Sequence, residues 1–135
     1  MINKDIIRIA AKTKYAGLKK IYTHKSTAKN SICGDLIKIE LVANNTKIKS
    51  MRYETESCIL CEASASLLAK KIKDFNLKDL KKTYNKFLNI KKTKKIKLPT
   101  RFKEFNKILN KKSLNRISCV ILPMEALFKA FRINS

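Results

Sequence analysis

The architecture of this chain turns on residues 35–70, DLIKIELVANNTKIKSMRYETESCILCEASASLLAK. Ile37, Ile39 and Leu41 alternate with Lys38 and Glu40, the period-two pattern of a strand with one buried face. Asn44-Asn45 is a hairpin turn signal, because Asn tolerates the left-handed backbone. A less regular strand returns over residues 46–55. From Ser57 the pattern changes. Ser57 can cap a helix that begins with Cys58. Ala63-Ser64-Ala65-Ser66 gives that helix a small-residue surface that another element can approach closely, and Leu67 and Leu68 continue it towards Lys73.

Working outward, Ile2 to about Lys14 places Ile2, Ile6, Ile9 and Ala10 near one helical face, with Gly17 as its end. Residues 20–32 are rich in Thr and Tyr and read as a weak strand, so the order is one helix and then three strands. Downstream, Leu77, Leu80, Tyr84, Phe87 and Leu88 predict a helix over 77–90. A lysine-rich stretch, 91–97, ends at Pro99, and a short helix then offers Phe102, Phe105, Ile108 and Leu109 on one face. The last segment, roughly 116–133, reads as helical with Pro123 inside it. Proline there requires either a place in the first turn or release of the Cys119 carbonyl. There is no internal repeat and no Gly/Ser linker, and 135 residues suit one domain, 1–135.

Charge is the largest compositional signal: 32 basic against 10 acidic residues, net +22. Read alone it points to nucleic acid or another polyanion. Yet 27 of the basic residues are Lys and five are Arg, whereas base-edge and phosphate fork contacts favour Arg. Lys, Asn and Ile make up 55 residues, and all three have A/T-rich codons, so genome composition is a sufficient source for much of this charge. Residues 70–112 carry 17 basic and three acidic side chains. The aromatics sit at core spacings and form no stacking platform for bases, which argues against a nucleic-acid partner. Two glycines in all exclude a phosphate-cradling glycine loop. No apolar run approaches the ~18 residues of a membrane span. The charged start, Met1 to Asp5, lacks a leader's apolar stretch, so a cytoplasmic protein without a membrane partner is expected.

Four cysteines, Cys33, Cys58, Cys61 and Cys119, are therefore expected as thiols, metal ligands or sulfur carriers, not disulfides. Cys33 and Asp35 flank Gly34, an arrangement that can aim a thiolate and a carboxylate at one point. Cys58 and Cys61 are three apart at a helix start and can share a face. Cys119 opens the last helix. Three segments thus offer thiols at their ends, where a solvent-facing site could assemble. A lone His24 is a poor basis for a nucleophilic triad, the carboxylates are scattered, and Cys58-x-x-Cys61 lacks the βαβ context of a thioredoxin-like motif.

At these residues the chain resembles the NifU/IscU/SufU-type iron–sulfur cluster assembly scaffolds. Asn30-Ser31-Ile32-Cys33-Gly34-Asp35 is similar to their N-P-x-C-G-D motif, and Ser57 to Ser66 to their G-C-x-I-S-x-A-S-A-S segment. Arg116-Ile117-Ser118-Cys119 with Leu122 is similar to their R-x-x-C-x-x-L signature. The resemblance implies an α+β fold: an N-terminal helix, a three-stranded antiparallel sheet and helices packed on one face. It implies a site of Cys33, Asp35, Cys58 and Cys119 that holds a transient cluster, expected as 2Fe-2S, with Cys119 accepting persulfide sulfur from a cysteine desulfurase. Apo iron–sulfur proteins or carrier proteins would receive the cluster, and the protein itself would not be an enzyme. Three departures stand out. Glu56 and Ser57 replace the glycines before the second cysteine. Cys61 stands at a serine-like position, as core or accessory ligand. Ser118 stands where Lys or His is common. No L-P-P-V-K segment precedes Cys119, so the chaperone handoff of the IscU branch is not expected. Two alternatives use other chemistry: a zinc-bound sulfur-transfer partner on the same residues, and a basic nucleic-acid-binding domain with incidental cysteines.

Overall fold

A computed structural model describes residues 3–31, 34–110 and 113–134. Four antiparallel strands form a meander in the order β1 (His24–Asn30), β2 (Asp35–Ala43), β3 (Lys47–Glu56) and β4 (Phe75–Asn76). The register pairs Ala28 with Ile37, Ile37 with Thr55 and Ile39 with Tyr53, so these side chains line one buried face. The β2–β3 turn is made as expected. The Asn44 side chain accepts from the amides of Thr46 and Lys47, both at 2.8 Å. The sheet has four strands where three were expected. Phe75–Asn76 pairs with Ile48 and Lys47, too short a strand to show a period.

The helices cover one face of the sheet. Helix α2 (Ile59–Lys71) packs on β3, and α4 (Ile117–Asn134) packs on β1, β2 and α2. Helix α1 (Lys4–Ala10) lies on α2, and α3 (Leu80–Thr93) lies on α4. The small residues Ala63, Ser64, Ala65 and Ser66 are all buried, which is how α2 can approach its neighbours closely. Thr100–Lys107 is a 3₁₀-helix, not an α-helix. Its Phe102, Phe105 and Ile108 recur every three residues, the 3₁₀ period, and all three are buried. Phe102 and Phe105 meet Phe87 edge to face, with centroids 5.7 and 5.3 Å away.

The helix expected over 77–90 opens as a 3₁₀ turn, Leu77–Asp79, and runs on as α3 to Thr93, and the N-terminal helix differs from the sequence reading too. Helix α1 ends at Ala10, well short of Lys14, and Asn3 caps its start by accepting from the Ile6 amide at 2.9 Å. Gly17, at φ +90°, does not end that helix; its amide donates to the Tyr53 carbonyl at 2.7 Å as the chain crosses the sheet. Cross-strand neighbours Arg52 and Glu40 hold this crossing segment. Arg52 donates to the carbonyls of Lys14, Ala16 and Gly17, while the buried Glu40 accepts from the amides of Lys19 and Lys20. Among the described residues no helix is long and apolar enough to cross a membrane.

Candidate metal centre

Three element starts converge at one point. Asp35 opens β2, Cys58 is the N-cap of α2, and Cys119 lies in the first turn of α4. Their ligand atoms, one carboxylate oxygen and two sulfurs, all lie within 4.8 Å of one another. Donors about 2.3 Å from a tetrahedral ion would stand about 3.8 Å apart, so the trio is close to a liganding geometry as folded. Asp35 and Cys119 are buried; Cys58 is half-buried and forms the rim.

A buried carboxylate needs partners, and Asp35 finds them in Cys58. The Cys58 amide donates to Oδ1 at 3.1 Å and its thiol to Oδ2 at 3.5 Å. Asp35 therefore satisfies an amide at the α2 start, where Ser57 was expected to act as cap. The Ser57 hydroxyl instead donates to the Cys58 carbonyl, and the N-cap Cys58 has no side-chain cap bond. Gly34 precedes Asp35 at φ +74°, and its amide closes on the Asn30 carbonyl at 2.7 Å. A side chain would be strained there whatever the space around it.

Cys61 does not join the trio. Cys58 has extended backbone angles (φ −72°, ψ 165°), so the helical face that two residues three apart would share does not begin until Ile59. Cys61 is fully buried within the core instead. Cys33 lies outside the described residues. His24 is remote: it packs on Phe131, twelve residues and about 18 Å along α4 from Cys119.

Sequence reasoning missed how the two cysteine-bearing helices are pinned together. The fully buried Ser64 of α2 donates its hydroxyl to the Val120 carbonyl of α4 at 2.5 Å, one residue after Cys119. Ser26 of β1 does the same at the Ala126 carbonyl. Between them lies Pro123, inside α4 at its seventh position, with no N–H to return to the Cys119 carbonyl. The small-residue run was the visible signal, but its hydroxyl contacts involve backbone acceptors that no sequence pattern displays. Nearby, burial pushes the Tyr53 phenol above its ordinary range, opposed by a hydrogen bond with Ser66.

The sequence profile of the NifU-like N-terminal domain matches residues 3–131. The chain belongs to this family. Solved structures agree on the fold. A nitrogen-fixing NifU-like protein (N-terminal) from Brucella abortus superposes with a TM-score of 0.86 at 18% identity, covering 98% of this chain and 92% of that one. A candidate iron–sulfur cluster assembly scaffold protein for the SUF system of the thermophile Fervidobacterium islandicum AW-1 gives 0.74 at 20% identity, covering 96% and 95%. A hypothetical protein gives 0.72 at 18%, covering 97% and 99%. No curated protein matches the chain. Within the NifU-like fold the α+β class is as expected, and the convergent trio sits on the three segments that carry the motifs.

Proposed function

We propose that this NifU-like domain is a scaffold on which an iron–sulfur cluster is assembled and from which it is passed to apo-proteins. The observation that carries the reading is the convergence of Asp35, Cys58 and Cys119 from three separate segments to within 4.8 Å. Clusters are held chiefly by thiolates, and Cys33, two residues before Asp35, is the further thiolate the site would recruit. Asp35 is a hard oxygen donor among soft sulfurs, which weakens the hold and eases release. Sulfur would come from a cysteine desulfurase. The Cys119 thiolate attacks the outer sulfur of the donor's persulfide, a new S–S bond forms, the donor's S–S bond breaks, and the donor leaves as a thiolate. Because Cys119 is buried, this transfer requires the site to open. The domain holds and hands on its cargo and turns over no substrate.

One observation favours a second reading, a zinc-bound sulfur-transfer partner: three donors within 4.8 Å also suit a single tetrahedral ion. Protein purified without oxygen and assayed for iron, zinc and acid-labile sulfide separates the two. Iron with matching sulfide supports the scaffold; zinc without sulfide supports the alternative; neither, before or after reconstitution, overturns both.

A further inference from the structure

Two half-buried carboxylates, Asp79 and Glu125, make no hydrogen bond or ion pair among the described residues, and Glu125 is the one that lines a cleft beside cations. Asp35 is engaged by Cys58, Glu40 by the amides of Lys19 and Lys20, Glu62 by Thr55, and Glu104 by Lys70 and Lys71. Glu125 is half-buried and has no hydrogen bond or ion pair among the described residues. Burial holds its carboxyl above the ordinary range, with Lys91 opposing. Yet it lines a cleft of about 520 Å³ between β1, α3 and α4 together with Lys29, Lys129 and Arg132. Two of those cations are occupied elsewhere. The Lys129 ammonium donates to the Thr27 carbonyl at 2.8 Å, and the Arg132 guanidinium lies over the Phe128 ring, 5.7 Å from its centroid. Tyr84 and Phe128, stacked at 4.5 Å, form an aromatic wall.

A shielded, unpaired carboxylate costs free energy, and a chain with 32 basic residues has ample means of pairing it. The fold instead keeps opposite charges apart across a concave, aromatic-walled gap. A ligand that carries both charges in the reverse order complements that gap. We propose that the cleft binds a small zwitterion of the α-amino-acid class. Its ammonium would sit on Glu125 beside the aromatic wall and its carboxylate between Lys29 and Arg132. The cleft's volume lies in the range of small-molecule sites. A carboxylate suits the guanidinium fork. Lys29, which has no partner of its own in the cleft, and the unused N–H groups of Arg132 leave room for a second carboxylate, so an acidic side chain on the ligand is favoured. The cleft is distinct from the metal centre, since Glu125 lies six residues along α4 from Cys119, about 9 Å and on another face.

Calorimetric titration of the full chain tests this with L-glutamate, glycine, glycylglycine and the single-charge halves, acetate and ethylammonium. Glutamate is expected to bind at least about tenfold tighter than either half. Glu125→Gln and Arg132→Gln should each weaken it by about tenfold with far-UV circular dichroism unchanged, while Lys107→Gln, outside the cleft, should leave it intact. No binding at about 20 mM glutamate, acetate binding as tightly as glutamate, or indifference to Glu125→Gln overturns the proposal. Tighter binding of glycylglycine than of glycine overturns the amino-acid assignment in favour of a peptide end.

Discussion

Where β2, α2 and α4 begin, Asp35, Cys58 and Cys119 come within 4.8 Å, and the carboxylate and the half-buried thiol are joined by hydrogen bonds. Along the outward side of α3 the arrangement is the opposite. Lys78, Lys81, Lys82, Lys86 and Lys92 border an open groove, and none makes an ion pair among the described residues. The first region has few charges, each fixed by backbone geometry; the second has many, each solvated. Buried groups are costly to place and persist where the fold over-determines them, whereas exposed lysines contribute little energy and can accumulate with composition. Chemistry should therefore respond to single substitutions in the first region and tolerate several in the second.

The widest contrast is expected between cysteine and lysine variants. Cys33→Ala, Cys58→Ala and Cys119→Ala should each abolish stable retention of cluster or metal. Changing Lys91, Lys92, Lys94 and Lys95 together to Gln should leave it unchanged. Visible absorption after anaerobic reconstitution reads both, and loss in the lysine variant would break the contrast.

Asp35→Ala should act in the other direction, on release. Without the hard oxygen donor the bound cluster should live longer and transfer to an apo-acceptor several-fold more slowly, as timed by visible circular dichroism. An unchanged or faster transfer removes Asp35 from this role. The same variant loses the acceptor of the Cys58 amide, so a stability loss of about 1 kcal/mol should accompany it.

The convergence of Asp35, Cys58 and Cys119 is legible in the sequence because the three fall in local patterns. Gly34-Asp35, Ser57-Cys58 and Arg116 to Cys119 each mark an element start, and the β2 alternation of Ile37, Ile39 and Leu41 and the Asn44 turn are equally local. What escaped depends on partners distant in sequence. Strand β4 exists only because Phe75 and Asn76 meet β3. The grip of Arg52 and Glu40 on residues 14–20, and of Ser64 on α4, ends on backbone atoms that sequence does not distinguish. Cys61 seemed to share a face with Cys58 because helical spacing was extended one residue too far, into a cap with β-region angles.

Smaller effects sharpen the boundary of the candidate centre. Cys61→Ala should cost about 1 kcal/mol by chemical denaturation, as a small buried side chain lost from a packed core, with metal retention preserved. Ser64→Ala should cost about 1–2 kcal/mol by leaving the Val120 carbonyl without its cross-helix donor. It should also shorten cluster lifetime, because α2 and α4 carry Cys58 and Cys119. Equal metal loss in Cys61→Ala and Cys58→Ala would make Cys61 a ligand after all.

The smallest effect concerns the lysine side. Binding to random and selected oligonucleotides across a salt series should be weak, indifferent to sequence and largely lost near physiological salt, as counterion release without base readout requires. Tight, sequence-dependent binding at high salt would reverse the assignment of chemistry to one region and solvation to the other.

Iron-edge X-ray absorption on the anaerobically reconstituted protein tests the central claim most directly. A shell dominated by sulfur with one oxygen scatterer, the oxygen lost in Asp35→Ala and the sulfur depleted in Cys58→Ala, is the expected result. A shell of oxygen and nitrogen alone, indifferent to both variants, would contradict it.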